Sequence, residues 1–368
     1  MKKVIFGITS LTVGGAEKTL IDIIEEIERE YKITVFTLYG KGEFEKSLPK
    51  NIELKTLYKK SYNELSKLSK IVISLRLLLF RKQIYNKYIK NEYDTEIAFL
   101  EGPITRLFSV NNNKTKKIAW VHTDISKIFG NSIKSKLKTI INKDIYNNYD
   151  KIVLVSKNSL KKFKEINPQI EDEKLEIIHN YINKEKVIKK AEEDIKLPFK
   201  KDVVNIVCVG RLVDAKAYDR LIRIHARLVK DNIKHYIYVI GNGPLQNELK
   251  QQIEKEKVEN TFYLLGEKEN PYVYIKNADY FCLLSYFEGY PMVLEEAKIL
   301  DKFIITNTAA KEVVENYEKS IVLENNEEAI YEGLKNVIEN KEKYEEKDTI
   351  KKEYNNDDII QKIKAIIG

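Results

Sequence analysis

Apolar residues along this chain gather into short runs of strand length, and between the runs they recur every three or four positions. The first half carries such runs at 3–8, 33–38, 52–57, 95–100, 117–121, 151–155 and 175–178. The second half carries them at 203–209, 236–240, 262–265, 280–284, 303–305 and 321–323. The intervening segments read as helices. Leu20, Ile23, Ile24 and Ile27 share one helical face, as do Val293, Ala297 and Leu300. Strand and helix alternate throughout, which predicts an α/β chain built on parallel sheets. The clearest unit runs from Asp279 to Thr306: strand, polar break, helix, strand. Glu288 falls in its loop, at the C-terminal end of the first strand, and Glu296 falls inside its helix.

The segment from Tyr58 to Lys90 has a different pattern. Leu65, Leu68, Ile71, Val72, Leu75, Leu78 and Leu79 form a broad apolar stripe among many cations. The expectation is a core-facing helix with a solvated basic side. Lys59, Lys60, Lys67 and Lys70 are its candidate contacts to an anionic membrane surface. The run Ile71–Phe80 is too short to span a bilayer and contains Arg76. The N-terminus imitates a signal peptide, but its apolar core is very short and broken by Thr9 and Ser10, so a first strand is the better reading. A soluble chain is expected.

A length of 368 residues favours two domains, and 43% hydrophobic with 33% charged residues is a globular balance. The expected division is 1–183 and 184–352, with the charged stretch 184–201 as the connection and 353–368 as a terminal helix. A formal charge of +8 suits anionic substrates or an anionic membrane surface as well as nucleic acid. Cys208 and Cys282 lie in apolar strands, with no metal-ligand spacing and no disulfide framework, so a reducing cytosol is expected.

The chemistry of the Glu288 loop suits an anion that carries hydroxyls. Backbone amides from Gly289 to Val293, with Tyr290 and Met292 between, stand at a helix N-terminus, where the dipole favours negative charge. Pro291 is tolerated there. Glu288 and Glu296 would repel a phosphate but accept from neutral hydroxyls, and a nucleotide sugar offers both kinds of group. A solvated loop with two surface glutamates is the plain alternative. Glu295, one step round the helix, should tolerate change if it faces solvent.

Glu288-Gly289-x-Pro291-x4-Glu296-Ala297 resembles the Glu-x7-Glu motif of the family 4 retaining glycosyltransferases. The resemblance covers most of the chain and is strongest from Val207 to Glu312. It implies the GT-B fold: two Rossmann-like doubly wound domains facing a cleft, the first binding the acceptor and the second the nucleotide sugar, with the C-terminal helix crossing back to the first. It implies that Glu288 touches the transferred sugar, Glu296 holds the ribose, and the amides between them bind the diphosphate. Gly210-Arg211-Leu212 with Lys216 matches the family's pair of diphosphate cations, and Gly241-Asn242-Gly243-Pro244 and Gly266 match further donor-side turns. In the first half, Gly14-Gly15-Ala16-Glu17 resembles the glycine-rich loop, which places Gly15 toward the donor and Gly14 and Glu17 toward the acceptor. WVHTD matches the position of a histidine near the reacting sugar, giving His122 a catalytic role beside Glu288, Arg211 and Lys216, and Asp124 an acceptor role. The chain departs from the family at Ala217, Asp301 and Phe303, where glycine, glycine and proline are usual.

The implied reaction moves a hexose or N-acetylhexosamine, with retention and without a metal or cofactor, to a glycan or lipid-linked acceptor in cell-surface polysaccharide biosynthesis. UDP is preferred over GDP on general frequency. A non-catalytic GT-B subunit supporting a partner enzyme is the alternative. An NAD-dependent oxidoreductase lacks the full glycine fingerprint, and dispersed lysines speak against a nucleic-acid binder.

Overall fold

Seven parallel strands make the first sheet of the computed structural model: β1 (Lys2–Ile8), β2 (Tyr31–Tyr39), β3 (Glu53–Tyr58), β4 (Thr95–Ala98), β5 (Lys116–Val121), β6 (Lys151–Leu154) and β7 (Leu175–Ile177). Their order is β3-β2-β1-β4-β5-β6-β7. A second sheet holds β8 (Val204–Val209), β9 (His235–Ile240), β10 (Phe262–Gly266), β11 (Tyr280–Leu283), β12 (Phe303–Asn307) and β13 (Ser320–Leu323), in the order β10-β9-β8-β11-β12-β13. The structure describes residues 1–90, 92–122, 144–345 and 356–368. Two compact units result: Met1–Tyr181 with Asn355–Gly368, and Ile182–Tyr354. The terminal helix Asn356–Ile367 buries Ile359, Ile360, Ile363, Ile366 and Ile367, and Thr95 of β4 donates to the Ile367 carbonyl (3.1 Å).

Each sheet is doubly wound, so each has a point where strand order reverses. Crevices outside the C-terminal strand ends form there. In the first unit the reversal lies between β1 and β4; in the second, between β8 and β11. The strands beside these points are buried on both faces. Val4, Ile5, Phe6 and Ile8 of β1 are solvent-free, as are Ile206 and Val207 of β8. The N-terminal run is thus an interior strand, paired with β2 on one side and β4 on the other.

Two segments differ from expectation. The stretch 184–201 opens with a helix, Lys184–Ala191, whose Val187 and Ala191 are buried in the second unit's core, so its charges are one face of a packed helix. The basic segment forms helix α2, Lys67–Leu79, following helix α1, Gly15–Ile27, in the chain. Its stripe does not face the core. Only Ile73 and Leu77 of α2 are buried, while Leu68, Ile71, Val72, Leu75, Leu78 and Leu79 are exposed.

Candidate functional site: candidate residues in each unit

In the second unit, β8 ends at Val209, and the chain turns through Gly210-Arg211-Leu212 into a short 3₁₀ turn, Asp214–Lys216. Ala217 then takes a left-handed conformation (φ 53°) and caps the helix Tyr218–Lys230. Glycine adopts that conformation without strain, whereas alanine's β-carbon crowds the backbone. Nevertheless alanine holds the turn, and its side chain is buried. The same accommodation occurs at Asp301 (φ 55°), whose carboxylate pairs with Lys319 (2.6 Å).

The turn carries Lys216 to the loop after β11. Lys216 Nζ donates to Glu288 Oε1 at 2.6 Å, and Ser285 Oγ donates to the same oxygen at 2.5 Å. Lys216 and Glu288 are both mostly shielded from solvent. Arg211 is exposed, and no described residue pairs with it.

The loop holding Glu288 is pinned along its length by other elements. Arg220 Nη2 donates to the Leu284 carbonyl (2.6 Å), and Asn307 Nδ2 to the Ser285 carbonyl (2.8 Å). The Tyr286 amide donates to Ala215 O (2.9 Å), and Asn325 Nδ2 to the Tyr286 carbonyl (3.0 Å). Arg220 also lies over the Tyr286 ring. A carboxylate supported in this way is held in one geometry before any ligand arrives, the condition under which electrostatic groups act most strongly. Sequence reading missed Ser285, Asn307, Arg220 and Asn325. Only Ser285 carried a local signal, three residues from Glu288.

Beyond the loop, the helix Met292–Ile299 begins with Pro291 as its N-cap. Its positive dipole end faces the loop. Glu296 is buried, and Tyr272 donates its hydroxyl to Glu296 Oε1 (3.2 Å). Tyr272 thereby orients the carboxylate matched to the ribose. Glu295 does not face solvent. It is 2% exposed, accepts from the Tyr290 hydroxyl (2.5 Å) and pairs with Lys298 (2.8 Å). An eight-residue helix set between two strands and a neighbouring helix buries more than one face, which defeats a two-sided reading of its wheel.

The donor-side glycines have steric explanations. A β-carbon on Gly241 would collide with the Gly210 carbonyl, and one on Gly243 with the Leu212 carbonyl. These glycines let the turn after β9 press against the turn after β8. Gly266 ends β10 with φ 71° and open space around it, and its carbonyl accepts from the Gly241 amide (2.9 Å).

In the first unit, Gly14 caps α1 in an extended conformation, and a β-carbon there would meet the Glu17 carboxylate folded back over it. Gly15 opens the helix and is exposed. His122 directly follows β5. Its ring packs against Phe99 (4.7 Å between centroids) and stacks parallel to Trp120. Burial pushes its pKa down to about 3; the nearby Asn180 side chain works in the opposite direction, without the alignment of a hydrogen bond. Among the described residues neither ring nitrogen makes a hydrogen bond, and both are shielded from solvent, so the imidazole is held neutral. The His122 amide donates to Glu101 Oε1 (3.0 Å), and Glu101 lies just past β4. That carboxylate is a further residue that sequence reading missed. Asp124 lies outside the described residues.

The model of the family "Glycosyl transferases group 1" matches residues 189–355, which span nearly all of the second unit and its donor-side loops. A Campylobacter jejuni protein is 29% identical over 367 residues, covering 97% of this chain and 93% of its own length. It is named N-acetylgalactosamine-N,N'-diacetylbacillosaminyl-diphospho-undecaprenol 4-alpha-N-acetylgalactosaminyltransferase. The second unit thus matches the group 1 glycosyl transferases, and the chain as a whole is similar to a glycosyltransferase. The chain also superposes on solved structures. S. aureus TarM, solved with Fondaparinux, alpha-GlcNAc-glycerol and UDP, gives a TM-score of 0.73 at 14% identity, with both chains fully covered. Anabaena HepE, solved with UDP and glucose, gives 0.68 at 17% identity, over 94% of this chain and 92% of its own. The fold is GT-B.

Proposed function

We propose that this glycosyltransferase moves a hexose or N-acetylhexosamine from a UDP-sugar to a glycan or lipid-linked acceptor, with retention, in the assembly of a cell-surface polysaccharide. The observation that carries the reading is the Lys216–Ser285–Glu288 cluster at the β8/β11 reversal, with exposed Arg211 on the same turn as Lys216. As UDP departs, charge develops on its β-phosphate. The guanidinium of Arg211, the ammonium of Lys216 and the helix end at Met292 are the groups placed to stabilise it. Glu288 accepts from hydroxyls of the transferred sugar, and Glu296, oriented by Tyr272, from the ribose. In the first unit His122, kept neutral by burial, offers an uncharged donor and acceptor to a hydroxyl. Gly14, Glu17 and Asp124 are assigned to the acceptor, and Gly15, Gly241, Gly243, Gly266 and the segment Gly289–Val293 to the donor. No carboxylate is assigned as a nucleophile, so the acceptor hydroxyl attacks from the face that the phosphate leaves, and a phosphate oxygen takes its proton.

The Campylobacter relative's name, with its diphospho-undecaprenol substrate, supports a lipid-linked acceptor, and the UDP bound in TarM and HepE supports the choice of nucleotide. A lipid-linked acceptor places the enzyme on the inner face of the cell membrane, with Lys59, Lys60, Lys67 and Lys70 toward anionic headgroups. The test is a panel of UDP- and GDP-sugars, followed for nucleotide release and for the anomer transferred. Release from one UDP-sugar with a retained anomer is expected. Absence of nucleotide binding by calorimetry would instead favour the non-catalytic subunit.

A further inference from the structure

Helix α2 is attached to the first unit along one narrow edge. Ile73 and Leu77, one turn apart, are its buried residues, and both join the core cluster of that unit. The opposite side is apolar and uncovered. Leu68 is 73% exposed, Ile71 57%, Val72 56%, Leu75 51% and Leu79 67%, and Leu78 and Phe80 continue the surface. At helical spacing, Leu68 to Leu79 fall within one sector of about 120°. A face this apolar on a folded chain marks an interaction surface.

We propose that α2 is an interfacial helix that seats this face in the hydrocarbon boundary of a lipid bilayer. The cations around it select that occupant. Lys67 and Arg76 stand at the two edges of the apolar sector. Between Tyr58 and Lys90 there are nine Lys and Arg residues and one acid, Glu64, whose carboxylate is engaged by Lys41 (2.8 Å). A second copy of the chain docking face to face would set these cations against each other. Anionic headgroups neutralise them while the leucines enter the acyl boundary. Tyr62, half-exposed with Lys70 over its ring (4.2 Å), adds an aromatic group with a polar tip, the type that settles at headgroup depth. No described helix is long and apolar enough to cross a membrane, so α2 lies in the interface. The proposal rests on the lipid-linked reading for its biological setting, but its physical content differs from charge attraction alone. Lysines give a salt-sensitive approach; leucines give an attachment that salt does not remove.

The experiment is flotation of the full chain with vesicles of phosphatidylethanolamine and phosphatidylglycerol, across a range of salt. Wild-type protein should bind, and part of the binding should persist at ~1 M salt, where screening is nearly complete. Leu68→Ser/Leu75→Ser/Leu79→Ser should weaken binding at least about tenfold at every salt concentration, since each change removes several buried methylene equivalents. Lys59→Gln/Lys60→Gln/Lys67→Gln/Lys70→Gln should remove the salt-sensitive part alone. Leu75→Trp should report insertion directly, by a blue shift of its fluorescence on adding vesicles. The idea is overturned by a serine variant that binds like wild type, by an unshifted Leu75→Trp spectrum, or by a wild-type dimer that the serine changes dissociate. Nucleotide release from a UDP-sugar in solution should be the same in the serine variant as in wild type. Its absence in both would count against the transfer reading and leave the vesicle result standing.

Discussion

Lys216 and Glu288 are each one residue of a motif, but in the folded chain they form one charged pair, and their variants cannot act independently. Lys216→Ala leaves the Glu288 carboxylate facing the diphosphate without its partner, so UDP affinity should fall by more than loss of one contact. Glu288→Gln frees Lys216 for phosphate, so turnover should fall on the order of 10²-fold while UDP binds as well as before or better. Adding Glu288→Gln to Lys216→Ala should then restore part of the lost UDP affinity. Calorimetry on the three variants measures the coupling; additivity within about 0.5 kcal/mol would mean that the pair is incidental. The helix glutamates separate in another way. Glu296→Gln should raise KM for the donor, because the ribose does not react and its contact is uniform binding. Glu295→Gln should cost about 1–3 kcal/mol of stability, because it takes a buried carboxylate from Tyr290 and Lys298, and leave KM nearly unchanged. Urea unfolding beside donor kinetics distinguishes the two. Lys216, Glu288 and Glu296 were picked out because they match the family's motif in order and spacing. Glu295's burial was not legible, because it depends on what packs over the helix.

At the scale of elements, the helix Tyr218–Lys230 and β9 share a buried histidine pair. His225 Nδ1 lies 2.7 Å from His235 Nε2, His235 Nδ1 2.9 Å from the Ile233 carbonyl, and His225 Nε2 2.9 Å from Thr261 Oγ1. The bonds assign the ring protons: His235 donates to the carbonyl and His225 donates to His235, which leaves His225 Nε2 as acceptor toward the Thr261 hydroxyl, whose proton the Val258 carbonyl (3.3 Å) shares. Every nitrogen is used with both rings neutral. Burial, helped by the repulsion of a second cation, pushes the pKa of His225 down to about 2, and burial pushes that of His235 down to about 4. Unfolded histidine titrates near ~6.5. The unfolded chain therefore binds more protons below that pH, and stability falls as pH drops from about 6.5 toward 4. His122 contributes with the same sign. The urea midpoint should be flat from pH 7 to 8 and decline below about 6.5, and His225→Gln should flatten the decline even if it lowers the plateau. An unchanged slope in that variant would place the acid sensitivity elsewhere.

For the molecule as a whole, the proposed function gives the work of a divalent cation to side chains: Arg211 and Lys216 with a helix end. Transfer should survive excess EDTA. A complete loss restored by Mg²⁺ would show that the cationic side chains do not suffice. In each unit, winding alone brings two loops to the strand-order reversal, those after β1 and β4 in the first and those after β8 and β11 in the second, while His122 follows β5 and the Gly241 and Gly266 turns follow β9 and β10.

All thirteen described strands could be located from their apolar runs, the central ones because they are buried on both faces, the edge strands β3 and β7 although they are only partly buried. The glutamates, cations and glycines assigned to the donor were picked out through their resemblance to the family's motifs, and the structure brings two of them, Lys216 and Glu288, into one ion pair. The tertiary structure alone decided four things. It set Ser285, Asn307, Arg220 and Asn325 around the Glu288 loop, contacts between residues distant in sequence. It buried Glu295 and packed the charged stretch after Ile182 into a core. It also turned the leucines of α2 outward. Periodicity shows that a helix has an apolar face, but only the packing of neighbouring elements determines whether that face meets the core, and here Ile73 and Leu77 took the core-facing edge.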